Sequence, residues 1–127
     1  MLKKRLGLEA IERDWYCNLR SMWFFKTPSS IIIPDGCERI GICAFYCNWL
    51  KEVEIPKSVK DIGISAFERC IKLREVVIPE SVERIDDDAF WGCSSAIIIL
   101  KKPRSEFKFI GVRVFDYCGY VKEEVRN

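Results

Sequence analysis

The sequence predicts an α/β repeat fold, a short solenoid of about four coils with a parallel β-sheet on one face. One observation is a unit of 22 or 23 residues, stated most clearly from Ile55 to Leu73. Another is that its apolar positions keep the same residue types in successive copies. The aligned positions are Ile33-Pro34, Ile55-Pro56 and Ile78-Pro79; Ile40, Ile62 and Ile85; Ala44-Phe45, Ala66-Phe67 and Ala89-Phe90; and Cys47, Cys70 and Cys93. A unit this short cannot bury its apolar face alone, so the copies must stack.

Residues 1–28 do not follow the repeat cleanly and are predicted to form an N-terminal cap over the first coil. Apolar residues recur there at a spacing of three to four, which favours an amphipathic helix from Lys3 to about Leu19. The alternative is a decayed first repeat, because Tyr16-Cys17-Asn18-Leu19 is similar to the residues at 46–50. The solenoid itself is assigned to residues 29–118.

The clearest copy shows the expected order of elements within a coil. Residues 53–55 alternate as a strand does, and Pro56 ends the strand because proline has no N–H for the ladder. A second short apolar pair, Val59 and Ile62, follows on the far side of the coil. Residues 66–70 are then predicted to form a tight helical turn.

The pattern loosens after Cys93. The run from Ala96 to Leu100 is a strong strand former, but it lacks the usual Ile-Pro ending. A weaker copy at residues 107–118 completes the last coil, and residues 119–127 are predicted to be a polar C-terminal tail.

Length and composition indicate one globular domain of 127 residues, 49% hydrophobic and 31% charged. A formal net charge of +2 gives no general attraction to nucleic acid, and no apolar run is long enough to span a membrane. The seven cysteines are expected to be free thiols in a reducing compartment. Acidic residues interrupt the N-terminal segment before any signal-peptide core develops, which predicts a cytoplasmic protein for the sequence as written.

These residues resemble the BspA-like branch of the leucine-rich repeats, whose unit reads roughly L-x-x-I-x-I-P-x-x-V-x-x-I-G-x-x-A-F-x-x-C-x-x-L. Residues 50–73 match nearly every position, and the resemblance covers about residues 31–118. It implies a right-handed leucine-rich-repeat solenoid and a binding module without catalytic residues. Because such proteins often lie on bacterial or protist surfaces, it also implies the alternative of a secreted or cell-surface protein.

The residue types argue against catalysis, a cofactor and a metal site. The sequence has no histidine, so neither a Ser–His or Cys–His pair nor an imidazole metal ligand can form. Cys37, Cys43 and Cys47 lie close in sequence but lack the paired spacing of a zinc site, and are interpreted as buried thiols. The run Asp86–Asp88 lacks the spaced oxygen ligands of a calcium loop and is interpreted as a solvated turn.

Two faces of the solenoid differ in their outward residues. On the far face, one predicted column reads Glu38, Lys60, Glu83, Lys108 and the next reads Arg39, Asp61, Arg84, Phe109. The sign of the charge alternates along both columns, as expected of a face whose charged side chains form ion pairs between neighbouring coils. On the strand face, a predicted outward column reads Ile32, Glu54, Val77, Leu100, which is unusually apolar for a solvent-facing surface.

We therefore predict a non-enzymatic protein–protein interaction module that recognises a protein of unknown identity through its strand face. The candidate binding residues are Ile32, Glu52, Glu54, Glu75, Val77 and Leu100, with Trp49 and Trp91 as candidate rim anchors. The alternative is a structural unit that forms a homodimer through the same apolar column and has no separate ligand.

Overall fold

The computed structural model describes residues 4–5 and 29–124, which form a β-solenoid of about four turns. Each full coil contributes one strand to each of two parallel ladders. The strands are β1 (Lys4–Arg5), β2 (Ser30–Ile32), β3 (Arg39–Ile40), β4 (Glu52–Glu54), β5 (Asp61–Ile62), β6 (Glu75–Ile78), β7 (Arg84–Ile85), β8 (Ile97–Leu100), β9 (Phe109–Ile110) and β10 (Tyr120–Glu123).

The first ladder forms what we call the strand face. It contains two three-stranded parallel sheets, ordered β1-β2-β4 and β10-β8-β6. The sheets meet where β4 and β6 lie side by side, and the Arg74 amide donates a 2.9 Å hydrogen bond to the Lys51 carbonyl. Inward side chains such as Val53 and Val76 are buried, while the glutamates between them are exposed.

The opposite face carries a second parallel sheet, ordered β3-β5-β7-β9. Its register places Arg39 opposite Asp61, Asp61 opposite Arg84 and Arg84 opposite Phe109. The prediction of a sheet on one face was therefore incomplete, because the short apolar pair on the far side of each coil also forms a ladder. Two covered parallel ladders share one core, the arrangement that parallel sheet requires.

The turns joining the faces are not helical, contrary to the prediction for residues 66–70. In that coil the Ala66 amide donates a hydrogen bond to the Gly63 carbonyl, and the Cys70 amide donates one to the Phe67 carbonyl, at 3.2 Å each. The amides between them donate hydrogen bonds to the next coil instead, as the Phe67 amide does to the Ala89 carbonyl at 2.7 Å. Two residues per turn adopt the left-handed conformation, Ser65 with φ 55° and Arg69 with φ 59° in this coil. Successive tight turns thus replace the helix. Every second amide in these turns donates its hydrogen bond to a carbonyl of the neighbouring coil.

The described residues contain one short 3-10 helix, Arg104–Glu106, in the last coil. Among the described residues, no helix is long and apolar enough to cross a membrane.

A column of stacked phenylalanines fills the centre of the solenoid. Ring centroids of Phe45 and Phe67 lie 5.0 Å apart, those of Phe67 and Phe90 5.1 Å apart, and those of Phe90 and Phe115 6.2 Å apart. The first three side chains are fully buried. Gly63 allows neighbouring coils to approach, because a Cβ there would lie 2.8 Å from the Ile40 carbonyl oxygen.

The buried cysteine column differs from the sequence alignment in its first member. Cys70, Cys93 and Cys118 occupy the third position after a stacked phenylalanine, and the residue there in the first coil is Asn48. Cys47 lies one residue earlier, in the left-handed position that Arg69 occupies in the next coil. The chain shortens by one residue after Cys47, not before it, so Cys47 does not belong to the buried column.

The sequence predicts a separate cap at the N-terminal end of the chain and a separate tail at the C-terminal end. The predicted cap at residues 1–28 lies outside the described residues, except that Lys4 and Arg5 form a strand parallel to β2. At the other end, residues 120–123 are not a tail but β10, paired in register with β8. The ladder on the strand face therefore extends beyond the predicted boundary at residue 118.

Candidate protein-binding site

A groove of about 810 Å³ lies on the strand face, where β2, β4, β6 and the start of β8 present their outward side chains. Its lining includes five of the predicted binding residues: Ile32, Glu52, Glu54, Glu75 and Val77. The alternation of the strands explains this grouping, because every second side chain of a strand points away from the core. The structure thus brings most of the predicted binding residues together on one surface.

Leu100, the remaining predicted strand-face residue, points into the core and is 0% exposed. The register pairs Val77 with Ile99 and Ile78 with Leu100, so Ile97 and Ile99 lie on the side of β8 opposite Leu100, where Ile97 is exposed and Ile99 is buried. The prediction failed because this coil is one residue shorter at the strand entry. Arg74 separates Leu73 from Glu75, whereas Ala96 directly precedes Ile97. A one-residue slip exchanges the two faces of a strand.

The apolar side chains in the groove are only partly exposed to solvent. Val77 is 36% exposed and Ile97 is 41% exposed, while Ile32 is half-buried. Val77 also lines a neighbouring groove of about 870 Å³ at the proline ends of the strands. Val77 therefore lies where the two grooves meet.

The charged side chains that line the first groove are mostly acidic. Among the described residues, four carboxylates line it, from Asp35, Glu52, Glu54 and Glu75, against the single guanidinium of Arg74. The Ser30 hydroxyl donates a 3.3 Å hydrogen bond to Glu52 Oε2. The described lining has a formal charge of −3, although the whole chain carries +2.

The two tryptophans proposed as rim anchors are not part of the groove lining described here. Trp49 is 64% exposed, with Lys72 Nζ 5.9 Å from its ring centroid. Trp91 packs edge-on against Tyr117 at 5.4 Å, and the Arg69 guanidinium lies 5.1 Å from its ring. Trp91 therefore packs against side chains of the turns. The Trp49 side chain, by contrast, is largely exposed to solvent.

The opposite face pairs its charges internally, in the columns that the sequence indicated. Lys108 Nζ lies 2.8 Å from Glu83 Oε2, and Arg39 Nε lies 3.9 Å from Asp61 Oδ2. The hydrogen bond from Lys108 lowers the pKa of Glu83 below its ordinary value. Phe109 breaks the alternation of charge, and the Arg84 guanidinium lies 4.7 Å from its ring centroid. Many charged side chains of this face therefore contact other side chains of the same chain.

In the part of the chain that the structure describes, no group of three or more acidic or cysteine side chains converges as a metal site would require. Asp88 instead forms a two-bonded ion pair with Arg113, with Nε 2.8 Å from Oδ1 and Nη2 3.2 Å from Oδ2. The hydrogen bonds that the Arg113 guanidinium donates to Asp88 raise the pKa of Arg113. The six described cysteines, from Cys37 to Cys118, form no disulfide bonds.

Several residues of this surface were missed in the sequence. Ile97 and Tyr120 are outward, register-paired neighbours on β8 and β10, and Tyr120 is 61% exposed. Asp35 and Arg74 reach the groove from segments adjoining the strands. Aligning Leu100 with Ile78 through the Ile-Pro position would have identified Ile97, but the missing proline after Leu100 concealed that alignment.

The model of the BspA type leucine rich repeat region matches this chain in six copies over residues 18–124. The match begins inside the predicted cap and ends beyond the predicted solenoid boundary. It is a repeat region, and no catalytic domain is identified. Comparison with curated proteins and with solved structures found no match.

Proposed function

The chain belongs to the BspA-type leucine-rich repeat family, and we propose that it is a non-catalytic module that binds another protein through its strand face. The observation that carries this proposal is the groove in which Ile32, Val77 and Ile97 are partly exposed among carboxylates. Protein-binding surfaces commonly combine an apolar centre with a charged rim. The family supports the general role, since its repeats are commonly binding modules.

The contrast between the two faces supports the choice of surface. Charges on the far face form ion pairs such as Lys108–Glu83 and Arg39–Asp61. On the strand face the outward apolar side chains have no core role, because Val76 and Ile98 of the same strands already fill the core. A partner would remove this apolar surface from water, which is the main favourable contribution to most protein association.

A second candidate is self-association through the same surface. Ile97 and Tyr120 extend the apolar area along β8 and β10 towards the C-terminal end of the ladder. A two-fold symmetric contact between two such strips would also bury them, and the chain would then be a structural unit.

The test uses wild type, Val77→Arg and the matched control Lys60→Ala on the far face. Each is immobilised and exposed to an extract of the cells that encode the protein. We expect wild type and Lys60→Ala to retain the same protein and Val77→Arg to lose it, because an unpaired charge would be buried at the apolar centre. Equal retention by Val77→Arg, with its fold confirmed by circular dichroism, would exclude the strand face. Light scattering over a concentration series tests self-association, which Val77→Arg should abolish if the alternative is correct.

A further inference from the structure

The C-terminal end of the described solenoid leaves the apolar core partly open. Four inner positions of the core are fully buried: Ile85, Phe90, Cys93 and Ile98. The residues stacked on these four pack against the core but are only partly buried; they are Ile110, Phe115, Cys118 and Val121. Because a repeat buries its apolar side chains against its neighbours, this end is an apolar surface that another polypeptide can cover.

The strand at this end, β10, also has an open backbone edge. It is the outer strand in the order β10-β8-β6, and within the described residues no strand pairs with its other side. The Tyr120 amide donates a 2.9 Å hydrogen bond to the Ala96 carbonyl, beside β8. Since backbone groups alternate in direction along a strand, the amides and carbonyls of Val121 and Glu123 point to the open edge.

We propose that two copies of the chain dimerise end to end, by pairing their β10 strands antiparallel about a two-fold axis at Val121. In that register the two Val121 residues exchange both of their backbone hydrogen bonds, as a hydrogen-bonded antiparallel pair does. The same patch of each copy covers the open core of the other. This contact goes beyond the binding function proposed above, because it uses the end of the solenoid and leaves both strand faces free.

The side chains of β10 favour this register over its neighbours. With Val121 opposite its copy, exposed Tyr120 lies opposite Lys122 of the second copy, and the ammonium group can lie over the ring. Lys122 is available for this contact, because its present ion pair with Glu124 is long, at 3.9 Å, and exposed. A shift in one direction would set Lys122 against Lys122, and a shift in the other would leave Val121 opposite Gly119, which has no side chain.

The charges at this end are balanced, so a second copy is not repelled. Residues 101–124 carry six cationic and four anionic side chains. Two of the cations, Lys108 and Arg113, form ion pairs with Glu83 and Asp88 of the preceding coil, which leaves four cations against four anions. Long-range repulsion between two such ends is therefore weak.

The ion pair closest to the open core is compatible with the contact. Arg104 Nε lies 3.8 Å from Glu123 Oε1, and the Arg104 guanidinium lies 5.1 Å from the Phe115 ring centroid. In the proposed register Glu123 lies opposite Gly119 of the second copy and keeps its contact with Arg104. Pairing of the two ends therefore leaves no buried charge without a partner.

Sedimentation of the intact chain over a concentration series tests the contact. Val121→Pro removes the amide that faces the open edge, and proline is tolerated on an edge strand in that position. Wild type should form a reversible dimer, and Val121→Pro should dimerise at least about tenfold more weakly, because each dimer loses two hydrogen bonds. The matched control is Val121→Ile, which keeps the amide and should dimerise like wild type. Circular dichroism shows whether each variant is folded.

Cysteine substitutions test the register, and they decide the question even if Val121→Pro does not fold. Opposite residues of a non-hydrogen-bonded antiparallel pair have Cα atoms about 4.5 Å apart, within the range of a disulfide. On oxidation with diamide, Tyr120→Cys/Lys122→Cys should form a covalent dimer. Tyr120→Cys alone and Lys122→Cys alone should give no more covalent dimer than wild type, which shows the background from the native cysteines.

Val77→Arg distinguishes this contact from self-association through the strand face, and it should dimerise like wild type. The inference would be overturned by a wild type that stays monomeric at its highest soluble concentration, by undiminished dimerisation of folded Val121→Pro, or by loss of the dimer in Val77→Arg. Assemblies larger than a dimer, or a covalent dimer from Lys122→Cys alone but not from the double variant, would also overturn it. None of these outcomes changes whether the strand face binds another protein, so the two proposals are tested separately.

Discussion

The thiol of Cys93 donates a 2.9 Å hydrogen bond to the main-chain carbonyl oxygen of Phe67, one coil earlier in the stack. Cys70 makes the same bond to Phe45, and Cys118 makes it to Phe90, at 3.1 Å each. A residue at this position must be small, and its side chain must also donate to the preceding coil. Cysteine meets both requirements, which gives the repeated cysteine a structural role without any redox chemistry.

The first prediction concerns the reactivity of these thiols. Cys70 and Cys93 are fully buried and should resist an alkylating reagent in the native protein, whereas half-buried Cys43 and Cys47 should react sooner. All seven cysteines should titrate as free thiols in denaturant without reductant, provided air is excluded. Mass spectrometry after timed alkylation identifies each site. Four or more cysteines in disulfides would contradict the structure.

A second prediction follows from the protonation of Cys93. The neighbouring Cys118 thiol acts to lower the pKa of Cys93, but contact with Cys70 and burial outweigh this effect and raise the pKa above the ordinary 9.0. The neighbouring Cys93 thiol and burial likewise raise the pKa of Cys118. Above pH 9 the unfolded thiols lose protons that the folded ones retain, so the free energy of unfolding should fall with rising pH. Each thiol that stays protonated only in the folded state contributes a slope that approaches about 1.4 kcal/mol per pH unit once its unfolded form is fully ionised.

This slope can be measured by urea unfolding between pH 8 and 10 in wild type and Cys93→Ala. The variant is expected to be less stable at every pH, but its stability should fall less steeply. Parallel pH dependences in the two proteins would show that Cys93 ionises as readily in the folded state as in the unfolded one.

A third prediction concerns Asn48, which occupies the cysteine position in the first coil. Asn48 is 2% exposed, and its Oδ1 has no hydrogen-bond partner among the described residues. Because an unsatisfied buried acceptor costs about 1–3 kcal/mol, Asn48→Cys should stabilise the chain by about 1 kcal/mol. Thermal unfolding measures the change. A lower melting temperature for Asn48→Cys would show that the amide makes a contact the thiol cannot replace.

A fourth prediction concerns the phenylalanine column. Phe67 stacks on Phe45 and Phe90 and is fully buried, so Phe67→Ala should destabilise the chain by about 3–5 kcal/mol. Its neighbour Glu68 is partly exposed, and Glu68→Ala should change stability by less than about 0.5 kcal/mol. Denaturant midpoints give both values, and similar midpoints for the two variants would contradict the stacked core.

A fifth prediction tests the register of β8. Leu100 faces the core and Ile97 faces outward, so Leu100→Arg should unfold the chain while Ile97→Arg should leave it folded. Circular dichroism distinguishes the two results. The reverse outcome would restore the register originally predicted from the sequence.

The central coils could be predicted well because each repeated apolar position has a single structural role. Phe45, Phe67 and Phe90 recur at the coil interval and lie in one stack, and Val53 and Val76 alternate with outward glutamates that fix the register. Where charged residues separate apolar ones, only one face can enter the core. For this reason five of the six residues predicted to face outward on the strand face line its groove.

The run Ile97-Ile98-Ile99-Leu100 gave no such guide, because it is apolar in both alternations. Its register depends on the Ile97 amide, which donates a 2.7 Å hydrogen bond to the Arg74 carbonyl of the preceding coil. A bond between residues so distant in sequence cannot be identified from local residue types. The misassignment of Leu100 arose there.

The sequence by itself determined the repeat, the number of coils and the residues of the central core, because the burial of regularly spaced apolar side chains requires the copies to stack. Only the tertiary structure decided the form of the turns, the place of Asn48 in the cysteine column and the outward face of β8. Those features depend on hydrogen bonds between successive coils, which are made by backbone groups that every residue carries. The groove likewise depends on side chains from separate coils, since Glu52, Glu75 and Ile97 become neighbours only when the ladders form.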